Sequence, residues 1–288
     1  MKMLFLGAGY CTEFLTPLIE KKFEIIGIHN KLPFKIKYNN FKSVKRYSFE
    51  QFLNEKKLVL RNVTHILNSI PPTDEGDIPY NHIKKELIKL NSLKWIGYFS
   101  TTGVYGDHKG NWVDEKSELK TKNKRSLNRI IAENQYLELF SEHNIPTHIF
   151  RLPGIYGPKR SIFERINTEN LNFIKKKDQF FSRIHVEDIA DALYLSIKKP
   201  TPGEIFNLTD DYPCPSDEVT SYAFELLKKK QPAYLKLTDS KISEMTRSFY
   251  LENKKVSNKK FKDKFNWSPI KKNYKIGLNE IFKFLKNN

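Results

Sequence analysis

Gly7 and Gly9 follow directly on the apolar run Met3-Leu4-Phe5-Leu6 and precede a stretch whose apolar residues recur at helical spacing. In such a strand-to-helix turn the first glycine permits the tight bend. The second lets the backbone approach a pyrophosphate, which then rests on the N-terminus of the helix. Dinucleotide binding is the chemistry this spacing supports. Thr12 stands where a third small residue is usual, and its hydroxyl is suited to capping the helix instead. The next apolar run ends Ile28-His29-Asn30-Lys31. An NAD site carries an acidic residue roughly 20 residues after the glycines, where it binds the ribose 2′-hydroxyl. No carboxylate stands here, so a 2′-phosphate is not repelled, and Lys31 or His29 attracts it. NADP is therefore expected over NAD.

Other residues could move protons or hold anions. Tyr105 follows a strand with a polar end, and His185 sits at a strand-to-helix junction beside Arg183. Histidine has the unperturbed pKa that general acid–base work needs, though one histidine in a junction also serves as a cap or core hydrogen-bonder. Arg129, Arg151, Arg160, Arg183 and Arg247 read singly as surface or ion-pair residues; several at one site favour an anionic substrate. Cys11 and Cys214 have no metal-type spacing and form no disulfide framework. Cys11 reads as a small residue in a tight turn.

The elements that must position these groups follow from the hydrophobic pattern. Short apolar runs alternate with amphipathic stretches through the first half, the pattern of βαβ units. "TEFLTPLIEKKF" puts Phe14, Leu15, Leu18 and Ile19 on one helical face, and Val186, Ile189, Ala190 and Leu193 form another. "VTHILNSIPP" is a buried strand stopped by Pro71 and Pro72. The expected fold is α/β, a Rossmann-type doubly wound parallel sheet with a smaller C-terminal substrate lobe. Residues 1–158 make the dinucleotide domain, with 180–208 returning to it; 159–179 and 209–288 make the lobe.

With 39% hydrophobic and 29% charged residues the chain reads as a globular protein, and no apolar run is long enough to cross a bilayer. The N-terminal apolar run meets Gly7 too soon for a signal peptide, so the cytoplasm is the expected location. A net charge of +17 raises nucleic-acid binding. The lysines are scattered through every segment and no aromatics interleave with arginines, so no nucleic-acid partner and no membrane partner is expected. The partner is a small molecule, with a homodimer possible.

"FSTTGVYGD" (Phe99–Asp107), "RLPGIYGP" (Arg151–Pro158), "SRIHVEDIADAL" (Ser182–Leu193) and "FNLTDDYPCPSDEV" (Phe206–Val219) occur in an order that resembles the landmarks of the extended short-chain dehydrogenases, epimerases and dehydratases. The resemblance covers nearly the whole chain. It implies that Thr101 hydrogen-bonds the substrate. It also implies a Tyr-x-x-x-Lys pair on the long helix, the Tyr as acid–base and the Lys on the nicotinamide ribose. Here Arg129 and Glu133 align with those places, and an arginine stays protonated near neutral pH. The chain resembles an atypical subgroup that lacks the dyad. The expected sites are Thr101, Tyr105 and His185 for catalysis and Arg129, Arg183 and Arg247 for substrate. Gly7, Gly9, Tyr10, Cys11, Asn30, Lys31, Ser69, Ser100 and Pro153 are expected at the cofactor, NADP or NAD; no metal is expected. The function expected is an NAD(P)-binding oxidoreductase or epimerase. The rival reading is an NAD(P)-binding sensor or scaffold without turnover.

Overall fold

The computed structural model describes residues 1–30, 44–166 and 173–287. Its strands are β1 (Lys2–Leu6), β2 (Glu24–His29), β3 (Val44–Ser48), β4 (His65–Asn68), β5 (Trp95–Thr101), β6 (Trp112–Val113), β7 (Thr147–Leu152), β8 (Gly154–Tyr156), β9 (Arg183–His185), β10 (Ile205–Asn207) and β11 (Lys255–Val256). Its helices are α1 (Tyr10–Ile19), α2 (Phe49–Asn54), α3 (Lys56–Leu60), α4 (Ile78–Ile88), α5 (Lys124–His143), α6 (Ile162–Ile166), α7 (Val186–Lys198), α8 (Ser216–Leu227), α9 (Glu244–Phe249), α10 (Lys259–Phe265) and α11 (Tyr274–Asn287). No helix among the described residues is long and apolar enough to cross a membrane.

Seven strands form one parallel sheet in the order β10-β7-β5-β4-β1-β2-β3. β1 is central because nearly every residue in it is apolar: a strand with helices on both faces has no wet side. Leu4 lies level with Ile26 on β2 and with Ile66 on β4. The strand order reverses direction of growth between β1 and β4, so the crevice outside their carboxyl ends is the ligand position of such sheets.

The inward face of α1 differs from the expected one. Leu15 and Ile19 are buried, but Leu18 is 44% exposed, and Cys11, Thr12 and Thr16 take the core side instead. Two threonines can be buried there because each hydroxyl bonds its own helix, Thr12 to the Gly9 carbonyl and Thr16 to the Thr12 carbonyl, both at 2.7 Å. Thr12 thus donates to a carbonyl and does not cap the helix. On α7 Val186, Ile189, Ala190 and Leu193 are all buried, as the periodicity requires.

The chain forms two compact units. One comprises Met1–Val104, Lys124–Arg151 and Ile189–Phe206; the other comprises Tyr105–Asn123, Leu152–Asp188 and Asn207 to the C-terminus. The second unit takes in 105–123, 152–158, 180–188 and 207–208, segments assigned from sequence to the dinucleotide domain. The cause is pairing: β6 joins β11, and β8 joins β9, both outside the large sheet. Strands of two and three residues leave no alternation to read. Tyr156, Phe163, Cys214, Val219, Ala223, Tyr274, Leu278 and Ile281 make a separate core in this unit.

Candidate functional site

At the carboxyl ends of β1 and β4 in the first unit, Gly7 has φ +86°, a conformation that side chains other than glycine rarely adopt. A Cβ there would also lie 2.7 Å from the Ser69 hydroxyl, which donates to the Gly7 carbonyl at 2.6 Å. Gly9 differs. A Cβ on it would meet nothing within 4 Å, so no protein contact demands glycine. It begins α1 with no side-chain cap, leaving the N-terminal turn open for an anion. That open cradle fits the pyrophosphate of a dinucleotide. Tyr10 and Cys11 occupy the first turn, Tyr10 half-buried and Cys11 buried.

Asn30 is exposed just past β2, while Lys31 lies outside the described residues. His29 is buried, and burial together with the nearby Arg46 charge holds its pKa below the usual histidine value. Arg46, on β3, is a cation near the strand end that sequence reasoning missed. Its strand pairs with β2, Gly27 lying level with Arg46, a proximity that periodicity cannot reveal.

Ser100 and Thr101 end β5. Thr101 is half-buried, and its hydroxyl accepts from the Gly103 amide at 3.1 Å. Ser100 is buried and donates to Glu133 Oε1 at 2.5 Å. Glu133 also receives Arg151 through two bonds, from Nε at 2.9 Å and Nη2 at 2.7 Å. The Glu133 carboxylate is thus engaged from within the protein. The signal for this pair lay in "THIFRL": an arginine in a buried apolar strand needs a counter-charge. Arg129 is half-buried, its Nη1 donating to the Phe99 carbonyl at 2.5 Å and the Tyr98 hydroxyl at 3.1 Å. Below them Asp77 accepts from Asn68, Tyr136 and the Tyr80 amide, and burial raises its pKa.

In the second unit Tyr105 is fully buried, and its hydroxyl donates to Asn207 Oδ1 at 2.8 Å. The ring is therefore not an exposed group facing a crevice. His185 is likewise 1% exposed. Its Nδ1 accepts from the Glu187 amide at 3.3 Å, and its ring stands edge-on to Tyr156. Burial, with the Lys271 charge, pushes its pKa down to about 4, so the imidazole is neutral at pH 7. Pro153 is half-buried between β7 and β8. Arg183 and Arg160 line one cavity in this unit, with apolar walls from Ile155, Val219 and Leu278. Arg247 is not among its lining residues and donates to the Asp239 carbonyl at 2.6 Å. The structure thus gathers Gly7, Gly9, Tyr10, Cys11 and Ser69 at one strand end, and Ser100, Thr101 and Arg129 around another. Arg183 lines a pocket formed by residues of the second unit.

Residues 86–209 match the NAD dependent epimerase/dehydratase family. Among solved structures, a functionally unknown conserved protein from Silicibacter pomeroyi DSS is 34% identical, with a TM-score of 0.90 and 98% of each chain covered. The dTDP-glucose 4,6-dehydratase of Bacillus anthracis str. Ames, in complex with NAD, is 19% identical with a TM-score of 0.78, covering 100% of this chain and 97% of that one. The UDP-glucuronic acid 4-epimerase of Bacillus cereus, in complex with NAD, is 17% identical with a TM-score of 0.75, covering 100% and 99%. The last two establish likeness of fold alone. No curated protein matches the chain.

Proposed function

The chain belongs to the NAD-dependent epimerase/dehydratase family, and from that premise we propose that it is an NAD(P)-binding oxidoreductase or epimerase acting on a small anionic or nucleotide-linked substrate. The observation that carries this reading is Gly9, a glycine that no protein contact requires, at an uncapped helix N-terminus beside the Gly7 turn. Gly7, Gly9 and the first turn of α1 would hold the pyrophosphate. Asn30 brings no carboxylate to the ribose, and the Arg46 charge beside His29 favours a 2′-phosphate, so NADP(H) is the preferred form. A nicotinamide supplies hydride chemistry when bound. Thr101 offers a hydroxyl to substrate. Arg129 offers a guanidinium that would stabilise negative charge on an oxygen. We also propose a cytoplasmic location, a homodimer, and no nucleic-acid or membrane partner.

A second reading, a dinucleotide-binding protein without turnover, is favoured by the engagement of Glu133 with Arg151 and Ser100. Turnover separates the two. Purified protein is incubated with NAD+ or NADP+ and panels of dTDP- and UDP-sugars and small hydroxy acids, and with NADH or NADPH and small keto acids, following reduced-nicotinamide absorbance and product NMR spectra. Conversion of any of them supports the enzyme. A protein that binds dinucleotide and converts none supports the second reading.

A further inference from the structure

Tyr98 lies within β5, where a phenylalanine would fill the same space, and it is fully buried. A buried hydroxyl costs free energy unless it is hydrogen-bonded. Among the described residues the partner of this one is Arg129, whose Nη1 donates to Tyr98 Oη at 3.1 Å and to the Phe99 carbonyl at 2.5 Å. The guanidinium carbon lies 5.7 Å from the centroid of the Tyr98 ring. Burial holds the Tyr98 pKa well above the usual phenol value against the lowering effect of Arg129, so the phenol is neutral at pH 7. Both acceptors of Nη1 are therefore uncharged, and they orient the guanidinium without supplying a counter-ion.

The ring that carries this hydroxyl is itself braced. Arg129 and Tyr136 are seven residues apart on one face of α5, so both reach Tyr98. Tyr136 stacks on Tyr98 with centroids 4.7 Å apart and planes at 19°. The Tyr136 hydroxyl donates to Asp77 Oδ1 at 3.1 Å and accepts from Asn68 Nδ2 at 2.8 Å, while Asn68 Nδ2 also donates to Asp77 Oδ2 at 2.7 Å. Asn68, Asp77 and Tyr136 are at most 1% exposed, and none of their buried side-chain polar atoms lacks a hydrogen bond. A satisfied buried network of this kind rigidifies its members.

The braced guanidinium lies at the end of β5 that bears Thr101. A Cβ on Gly103 would lie 2.6 Å from Ser126 Oγ and 3.3 Å from Thr101 Oγ1, so the first turn of α5 rides on the turn that follows Thr101. Ser126 and Arg129, three residues apart, are neighbours on that helix.

We propose that Tyr98 is the positioning residue for Arg129: its hydroxyl, braced by Tyr136, Asp77 and Asn68, fixes the guanidinium at the Thr101 end of β5 to meet negative charge on a substrate oxygen. The proposal rests on the role given to Arg129 under the proposed function, but the fixing of the guanidinium is measured without substrate or dinucleotide.

The test is guanidinium nitrogen NMR of the labelled full chain at pH 7, with Arg129 assigned by the signals lost in Arg129→Lys. In the parent, rotation of the Arg129 Nη groups should be hindered and their two resonances separate. Tyr98→Phe keeps the ring and its stack on Tyr136 but removes the acceptor, so exchange between the two resonances should be about tenfold faster. Should Tyr98→Phe fail to fold, Tyr136→Phe removes the brace instead and should speed the exchange about threefold. An Arg129 that rotates in the parent as freely as an exposed arginine, or an exchange rate unchanged in the folded variant, overturns the proposal. With any substrate that the parent converts, Tyr98→Phe and Arg129→Lys should each lower kcat/KM about tenfold, and the double variant should lose no more than Arg129→Lys alone. Losses that add overturn the proposal. Absence of turnover counts against the enzyme reading and leaves the NMR result to decide the positioning of Arg129.

Discussion

Arg151 on β7 grips Glu133 on α5 through two parallel hydrogen bonds, and the side chains are 3% and 2% exposed. A buried ion pair of this kind contributes little when compared with a well-packed apolar pair, but either partner alone is costly. Arg151→Met should therefore destabilise the protein by about 3–5 kcal/mol, while Arg151→Met with Glu133→Met should recover most of that loss. Urea unfolding of the two single variants and the double variant closes the cycle. Losses that simply add would mean the two residues do not act as a pair.

The same pair bears on the catalytic dyad. Installing it by Arg129→Tyr with Glu133→Lys would set a lysine against Arg151 in a buried site, so that variant should be less stable than the parent and gain no turnover. A stable variant with new dehydrogenase activity would contradict this account of the helix.

His185 is buried neutral, so its charged form is disfavoured in the folded state. Its folded pKa of about 4 lies below the unfolded value, so this group costs nothing above about pH 6.5 and progressively destabilises the fold as pH falls towards 4. His185→Gln removes that loss. Relative to the parent, the variant should gain about 1.4 kcal/mol per pH unit on acidification through this window. A constant difference between the two proteins would show that His185 titrates normally.

Asp210 has the opposite sign. Its folded pKa of about 8 exceeds the unfolded value, so the fold binds a proton that the unfolded chain has released, and stability falls as pH rises from about 4 to 8. Asp210→Asn should become progressively more stable than the parent over that range, which paired urea unfolding at several pH values would reveal. Equal slopes for both proteins would place an ordinary carboxyl at position 210.

Cofactor preference follows from charge at the end of β2. The parent should favour NADP(H), and both Asn30→Asp and Arg46→Ala should shift it towards NAD(H), read as the ratio of dissociation constants. An unmutated protein preferring NAD(H) by about tenfold, about 1.4 kcal/mol, would refute the reading.

The sheet was legible because strands covered on both faces carry apolar runs: nearly all of β1 is apolar, and β2, β4, β5 and β7 each hold a shorter apolar run. Gly7 and Gly9 were legible for a similar reason: few residue types satisfy a tight turn with close backbone approach. The face of α1 was misread because hydrophobicity ranks Leu18 above Thr12 and Thr16, whereas threonine hydroxyls bonded to their own helix can be buried at little cost. The pairs β6–β11 and β8–β9 join residues far apart in sequence through strands of two or three residues, and no local pattern announces them. The burial of Tyr105 and His185 was hidden for the same reason, since each lies in a segment drawn into that second unit. Arg46 became visible only when β3 paired with β2.

The central claim is that the Gly7–Gly9 turn binds a dinucleotide. The most direct measurement is calorimetric titration of the protein and of Gly9→Val with NAD, NADH, NADP and NADPH, with thermal unfolding of both as a control. A Cβ at position 9 meets no protein atom within 4 Å, so the variant should fold as stably as the parent to within about 1 kcal/mol. The parent should bind at least one dinucleotide, NADP(H) most tightly, and Gly9→Val should lose that binding. A parent that binds none of the four at millimolar concentration, or a folded Gly9→Val variant that binds as the parent does, would contradict the claim.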